Sequence, residues 1–207
     1  MTIVSGFANI SLLQLLLVAC VALFASLVGG LAGYGTGALM PLVLVPMVGA
    51  EPVVPIIAIS AIFTNASRAI AYLSYADRRR AVRIGDSGLA AGAIGYGVVV
   101  GGTSGSGVIL LSLLMAAGLE GAAVIATDAV ISVVTSVIKI SVFGLAGVVN
   151  AQVLAFALLI GAIGVPGAFL ARAFVERMPV HIHTAILDAA VITGGLVMIS
   201  AAARQML

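Results

Sequence analysis

The distribution of charged residues constrains this chain more than any other feature. No charged residue precedes Glu51, and none lies between Asp86 and Glu120. Charged residues make up 8% of the 207 residues and apolar residues 63%, whereas soluble domains carry about 25% charged residues. Because a water-soluble core cannot bury that much apolar surface, the sequence predicts an integral-membrane protein.

The apolar residues form long continuous runs, which favour membrane-spanning α-helices over the short alternating strands of a β-barrel. We predict an all-α, polytopic transmembrane fold with seven or eight spans, forming a single integral-membrane domain over residues 1–207. The predicted segments are 10–30, 37–50, 53–74, 87–103, 106–118, 121–147, 151–171 and 183–203. The segments 37–50 and 106–118 are short, so they are expected either to cross fully or to be re-entrant.

Basic residues concentrate in the connection 77–83 and at Arg172 and Arg177. By the positive-inside rule, both regions are expected to face the cytoplasm. Tyr72 and Tyr75 precede the first region, a placement typical of aromatic side chains at the membrane interface. Topology therefore accounts for the net charge of +2, and no nucleic-acid partner is expected.

The sequence contains an internal repeat with an offset of about 70 residues. The segment 92–95 recurs as 161–164, and the pair Gly49 and Glu51 recurs as Gly118 and Glu120. Further on, Thr64, Asn65 and Arg68 match Thr135, Ser136 and Lys139. We predict one repeat over about 10–84, a second over about 85–153, and closing helices within 151–207. Chance similarity between apolar segments is the alternative explanation.

Each repeat holds about three crossings, an odd number, so the two copies are expected to insert in opposite orientations. The connection charges agree, because 77–83 is rich in arginine while its counterpart 146–152 carries no charge. Inverted repeats are typical of secondary transporters, whose substrate site lies at the repeat interface near the membrane midplane.

Two glycine-rich stretches, 29–37 and 101–107, occupy equivalent repeat positions. Because each glycine weakens a helix by up to about 1 kcal/mol relative to alanine, both stretches predict broken helices. A helix restarting after the break would direct backbone N–H groups and its positive dipole end at an anion. The alternative is close helix packing through GxxxG spacing. The glycines expected to hold an anion are Gly35, Gly37, Gly105 and Gly107.

Polar side chains at helical spacing accompany two cations within predicted spans, Arg68 and Lys139. Charges retained inside a membrane usually face a cavity, although snorkelling to the headgroups is an alternative for both. Asp128 could couple transport to protons, cap a helix break, or pair with a distant group. The remaining candidate substrate-binding residues are Ser60, Thr64, Asn65, Thr127, Ser132 and Thr135.

The sequence gives no positive support for an enzyme. It lacks the metalloprotease, phosphate-loop and serine-hydrolase motifs. His181, His183 and Asp188 lie close together, but a His-x-His beside a connection is more often an interfacial feature than a zinc site. No metal and no cofactor are therefore expected.

With these residues in place, the chain resembles the sulfite exporter TauE/SafE family of membrane permeases. In each half a glycine-rich stretch precedes an apolar run, a small turn and a polar patch. The turns are 48–52 and 117–121, and the patches are 58–60 and 126–128. The chain departs from the family pattern at Asp128, where the family usually has a serine, and it is short for the family.

The resemblance implies a secondary transporter, expected to export sulfite or an organosulfonate across the bacterial inner membrane by alternating access. A passive anion channel and a non-transporting membrane subunit are the alternatives. The expected partners are a small anionic substrate, the lipid bilayer and, as an open possibility, a second copy in a homodimer.

Overall fold

The computed structural model describes residues 6–7, 10–75 and 107–206, with side chains described as far as residue 196. Seven α-helices occur in this part of the chain: α1 (Leu12–Ala32), α2 (Thr36–Val48), α3 (Val53–Ala71), α4 (Gly107–Ala116), α5 (Ala122–Leu145), α6 (Ala151–Val175) and α7 (Val180–Met206). A short 3-10 helix, Leu73–Tyr75, follows α3, and no strand occurs in the described ranges. The predicted segment 87–103 and the arginine-rich connection lie outside them.

Four of the helices, α1, α3, α5 and α6, are long and apolar enough to cross a membrane. The shortest has 19 residues, which at 1.5 Å per residue covers about 29 Å, close to the thickness of the hydrocarbon layer. The predicted all-helical membrane class is therefore confirmed. Seven or eight spans are predicted from the sequence, and the described residues contain four candidate spans.

The two short segments account for part of this difference. Helix α2 has 13 residues and α4 has 10 in the described range, so they reach only about 20 Å and about 15 Å. Over the described residues, both are therefore shorter than the roughly 20 residues of a standard membrane-spanning helix. Helix α7 has 27 residues.

Both short helices end at a glycine with positive φ. Gly49 has φ 82° and donates its N–H to the Val45 carbonyl at 3.0 Å. Gly118 has φ 81° and donates to the Met115 carbonyl at 2.9 Å. These are the turns that the repeat pairs, and glycine adopts this backbone conformation without the steric cost of a Cβ. A short helix, a glycine turn and a long helix thus follow one another in both halves.

Helix α3 lies at the centre of the bundle and packs extensively against α5 and α6, while α1 packs against α6. Ala71 and Tyr72, at the C-terminal end of α3, share an apolar cluster with Val124 and Ile125, near the N-terminal end of α5. The two helices are therefore antiparallel. A second apolar cluster joins α1, α2, the first half of α3 and α6.

Glycines on one face of α6 allow the central helices to approach closely. A Cβ on Gly164 would lie 2.5 Å from Thr64 Cγ2, and one on Gly167 would lie 2.7 Å from Ser26 Cβ. The Ser26 hydroxyl also donates to the Gly164 carbonyl at 2.5 Å. Small residues at such contacts are typical of helix packing in membranes.

The opposite side of α5 presents exposed apolar side chains. They recur every three or four residues and so form one stripe along the helix. Its members are Val130, Val134, Val137, Ile138, Val142 and Leu145. A stripe of this kind is compatible with contact with lipid tails, whereas Asp128 and Ser136 of α5 are buried in the bundle.

Candidate functional site

The site is built around a break between α1 and α2. Helix α1 ends at Ala32, Gly33 adopts a left-handed conformation with φ 79°, and α2 begins at Thr36. A Cβ on Gly33 would lie 2.6 Å from Leu111 Cδ2, and one on Gly35 would overlap the Ala25 carbonyl oxygen of α1. The first glycine-rich stretch thus interrupts the helix where the sequence predicts a break, and the connection folds back against α1.

Arg68 of α3 caps the end of α1. Its Nη1 donates to the Gly29 carbonyl at 2.8 Å and to the Gly33 carbonyl at 2.6 Å. The last carbonyls of a helix have no partner within the helix, and leaving them unpaired in an apolar environment is costly. The guanidinium therefore stabilises the break by satisfying two of them.

Two further side chains complete this cap. The Tyr72 hydroxyl donates to the Gly30 carbonyl at 2.9 Å, and His183 Nε2 donates to the Leu31 carbonyl at the same distance. Both side chains are buried, with exposures of 0% and 2%. The carbonyls at the end of α1 therefore hold both side chains inside the bundle, and their position at the membrane interface stays a prediction.

The second nitrogen of Arg68 connects α3 to α5. Nη2 lies 3.5 Å from Asp128 Oδ2, and it also contacts Asn65 Oδ1 on its own helix. Arg68 does not snorkel to the headgroups, because its side chain is 9% exposed and is paired inside the bundle. Of the roles considered for Asp128, the structure shows pairing with a distant group.

Asp128 is unusually short of hydrogen bonds for a buried carboxylate. It is 1% exposed, and although the Ser132 side chain on its own helix interacts with it, neither carboxylate oxygen has a hydrogen bond of good geometry among the described residues. Buried carboxylates normally accept several hydrogen bonds, because losing hydration is costly for a charged group. The ion pair with Arg68 therefore offsets only part of that cost.

A cavity of about 130 Å³ lies between the α1–α2 break, α3 and α5. It is similar in size to an engineered cavity of about 150 Å³ that binds benzene, so it can hold a ligand of only a few heavy atoms. Ten predicted site residues line it: Gly35, Gly37, Thr64, Asn65, Arg68, Gly107, Asp128, Ser132, Thr135 and Lys139. Most of the substrate-binding residues predicted from the sequence therefore line one cavity.

The N-terminal end of α2 and the first described residue of α4 also border the cavity. The N-cap of α2 is Gly35, which supplies no side-chain cap, and residues 35–38 line the cavity. The described part of α4 begins at Gly107, which lines it as well. N-terminal amides and the helix dipole attract negative charge.

The charges around the cavity favour an anion. Arg68 and Lys139 carry positive charge and Asp128 carries negative charge, so the described lining residues sum to a formal charge of +1. Lys139 lies eleven residues beyond Asp128 on α5, about 16 Å along the helix. The cavity is therefore elongated, with the Arg68–Asp128 pair towards one end and Lys139 towards the other.

Three predicted site residues are not placed at this cavity. Ser60 donates its hydroxyl to the Ile57 carbonyl at 3.0 Å, and Thr127 donates to the Ala123 carbonyl at 2.9 Å. Both are absent from the lining. Ser60 is turned about 80° around α3 from Arg68, and Thr127 is turned about 100° around α5 from Asp128, so their side chains point away from the cavity. Gly105 lies outside the described residues.

Some lining residues were not predicted. Ser26 and Ser136 border the cavity, and Tyr34 lies there with its hydroxyl donating to the Ala190 carbonyl at 3.0 Å. A signal for Ser136 existed, because the repeat pairs it with Asn65. No sequence signal marks Ser26, which is an isolated hydroxyl in an apolar helix.

The described residues contain no group of three or more His, Cys, Asp and Glu side chains that could hold a metal ion. In comparisons with known proteins, no family model, curated protein or solved structure matches the chain.

Proposed function

We propose that this chain is a secondary transporter for a small sulfur-containing anion, such as sulfite or an organosulfonate, and that it works by alternating access in the bacterial inner membrane. One observation carries the proposal. Inside a bundle of apolar helices, a small cavity is bordered by the N-terminus of α2, by Gly107 of α4 and by two cationic side chains. Charged groups inside a membrane protein are costly to keep, and they typically mark substrate pathways.

The roles of the lining residues follow from their bonding. The amides at the start of α2 and α4 would bind the anion, and the hydroxyls of Thr64, Ser132 and Thr135 would replace part of its hydration. Arg68 supplies positive potential while it holds the break in place, since its Nη groups contact protein oxygens. Lys139 would attract the anion at the other end of the cavity.

The orientation of equivalent helices supports an inverted repeat. Helices α3 and α5 occupy equivalent positions in the two predicted repeats, and they pack against each other antiparallel. Equivalent segments of an inverted duplication run in opposite directions across the membrane. In the same way, the equivalent cations Arg68 and Lys139 lie towards opposite ends of the cavity. Rocking of one repeat against the other would expose each end in turn.

The size of the cavity and the family resemblance support the proposed substrate class. A volume of about 130 Å³ admits only a small ion, well below the roughly 300 Å³ at which pockets for drug-sized ligands begin. The preference for sulfur oxyanions and for export comes from the resemblance to the TauE/SafE permeases. Seven or eight spans and a homodimer also remain part of the proposal.

Counterflow in proteoliposomes tests this function. Vesicles containing the purified chain and loaded with unlabelled sulfoacetate or sulfite should accumulate the labelled anion transiently, because a carrier exchanges its substrate across the membrane. Flux that neither saturates nor shows counterflow would indicate a passive channel. Folded protein that moves neither anion would contradict the proposed substrate class.

Substitution of Lys139 tests the role of the cavity. We expect Lys139→Ala to lower the apparent affinity for sulfoacetate about tenfold or more, because a partly buried charge pair contributes more than about 1.4 kcal/mol. Lys139→Arg is the matched control, since it keeps the positive charge, and it should retain most of the counterflow. Equal counterflow in wild type and Lys139→Ala would contradict the role of Lys139.

A further inference from the structure

The anion site and the Asp128 carboxylate lie close together. Arg68 Nη1 and the Gly35 nitrogen both approach within 3.7 Å of the point where a side chain on Gly29 would begin. An anion bound by the first amides of α2 therefore lies beside the guanidinium, which is 3.5 Å from Asp128. The anion and the carboxylate would compete for the same cation.

We propose that Asp128 takes up a proton when an anion occupies the cavity, so that one proton and one anion bind and cross together. This inference rests on the proposed transport function. A second negative charge close to a carboxylate disfavours its ionised form, and Asp128 is 1% exposed with the single described cation Arg68 beside it. The protonated carboxyl group neutralises the repulsion, and its O–H can donate a hydrogen bond to the anion.

The surrounding groups leave Asp128 as the site of proton uptake. Arg68 from α3 faces it, and Lys139 on its own helix lies about 16 Å away along the axis. Tyr72 at the end of α3 and His183 on α7 bind carbonyls of α1, and neither lines the cavity. Tyr34 lines the cavity, but its hydroxyl donates to α7. The described residues of α4 carry no ionisable side chain.

A proton suits this position better than a sodium ion. Sodium needs several oxygen ligands, whereas the nearest group to the Asp128 carboxylate is a positively charged guanidinium. A proton removes the charge of the carboxylate without adding a separate cation beside Arg68. Transport of one proton with one monovalent anion is electroneutral, so the anion gradient and the pH gradient would set its direction, with no contribution from the membrane potential.

Calorimetric titration with methanesulfonate tests the proposal, because this sulfonate stays a monoanion across the working pH range. Titrations of the purified full chain at about pH 6, 7 and 8, in buffers of different ionisation enthalpy, give both the affinity and the number of protons taken up. In the alkaline part of this range we expect about one proton per anion and an affinity that falls about tenfold per pH unit. Asp128→Asn should bind with an affinity independent of pH and without proton uptake.

Glu120→Gln is the matched control, since it changes an exposed carboxylate near the start of α5, and it should behave as wild type. Proton uptake by wild type is measured without any substitution, so the test stands even if Asp128→Asn folds poorly. Binding without proton uptake, uptake that persists in Asp128→Asn, or dependence on sodium in place of pH would overturn the proposal while leaving an anion site. Absence of binding by any folded form would instead contradict the proposed transport function.

Discussion

Arg68 has more bonded partners than any other side chain at the site. It binds two carbonyls of α1, Asn65 of α3 and Asp128 of α5. Its charge is therefore used first to hold the broken helix and only then to attract a ligand. This combination explains how an arginine is retained inside an apolar bundle, where an unpaired cation would be costly.

Removing one member of the buried pair should destabilise the protein strongly. We predict that Arg68→Leu lowers the free energy of unfolding by about 3–5 kcal/mol, because it leaves Asp128 as an uncompensated buried charge. Combining it with Asp128→Leu should cost less than the sum of the two single changes. Denaturation in detergent micelles measures these values.

The control is the exposed pair of Arg172 and Glu176, whose side chains are 34% and 41% exposed and lie 2.6 Å apart. Arg172→Leu should change stability by less than about 1 kcal/mol, because solvent screens the pair. Additive effects of Arg68→Leu and Asp128→Leu would show that the two residues are not coupled.

The sequence predicts these residues but not their pairing. Polar side chains in apolar segments stand out, and the spacing of Asp128, Ser132, Thr135 and Lys139 places them within about 60° around one helix. The contact between Arg68 and Asp128 joins helices that are 60 residues apart, and no local pattern specifies which residues meet across such a distance. For the same reason, the burial of Tyr72 and His183 could not be read from their neighbours in sequence.

At the scale of helices, close approach depends on the glycine face of α6. We predict that Gly164→Ala destabilises the protein by about 1–3 kcal/mol, because the new Cβ would lie 2.5 Å from Thr64 Cγ2 in a packed interface. Gly195→Ala on α7 is the matched control, because a Cβ there meets nothing within 4 Å of the described atoms. It should stabilise the helix by up to about 1 kcal/mol. If both substitutions changed the free energy of unfolding in the same direction, this account of α6 would be contradicted.

Helix positions were more predictable than membrane topology. The predicted segments other than 87–103 correspond to described helices. Long apolar runs determine where these helices form, and glycine residues between the runs determine where they end. The number of crossings depends on length relative to the membrane, and over the described residues α2 and α4 are shorter than a standard membrane-spanning helix. Such helices suit the border of an internal cavity, where a broken backbone can be tolerated.

At the scale of the whole molecule, both of the proposed repeats contribute residues to one site. Each supplies residues of a short helix that border the cavity and a long helix that carries a cation. The antiparallel arrangement of α3 and α5 places those cations towards opposite ends. The account therefore predicts that the cavity lies on the path of the anion.

Cysteine modification in the presence of substrate tests that claim most directly. In a protein with Cys20 replaced by alanine, Ser132→Cys places a thiol at the cavity wall, and Glu120→Cys places one at an exposed position beyond it. Sulfoacetate should slow modification of Ser132→Cys by a water-soluble thiol reagent, with half-protection near the concentration that half-saturates counterflow. Modification of Glu120→Cys should be unaffected. Equal modification rates of Ser132→Cys with and without sulfoacetate, in protein that still catalyses counterflow, would show that the anion crosses elsewhere.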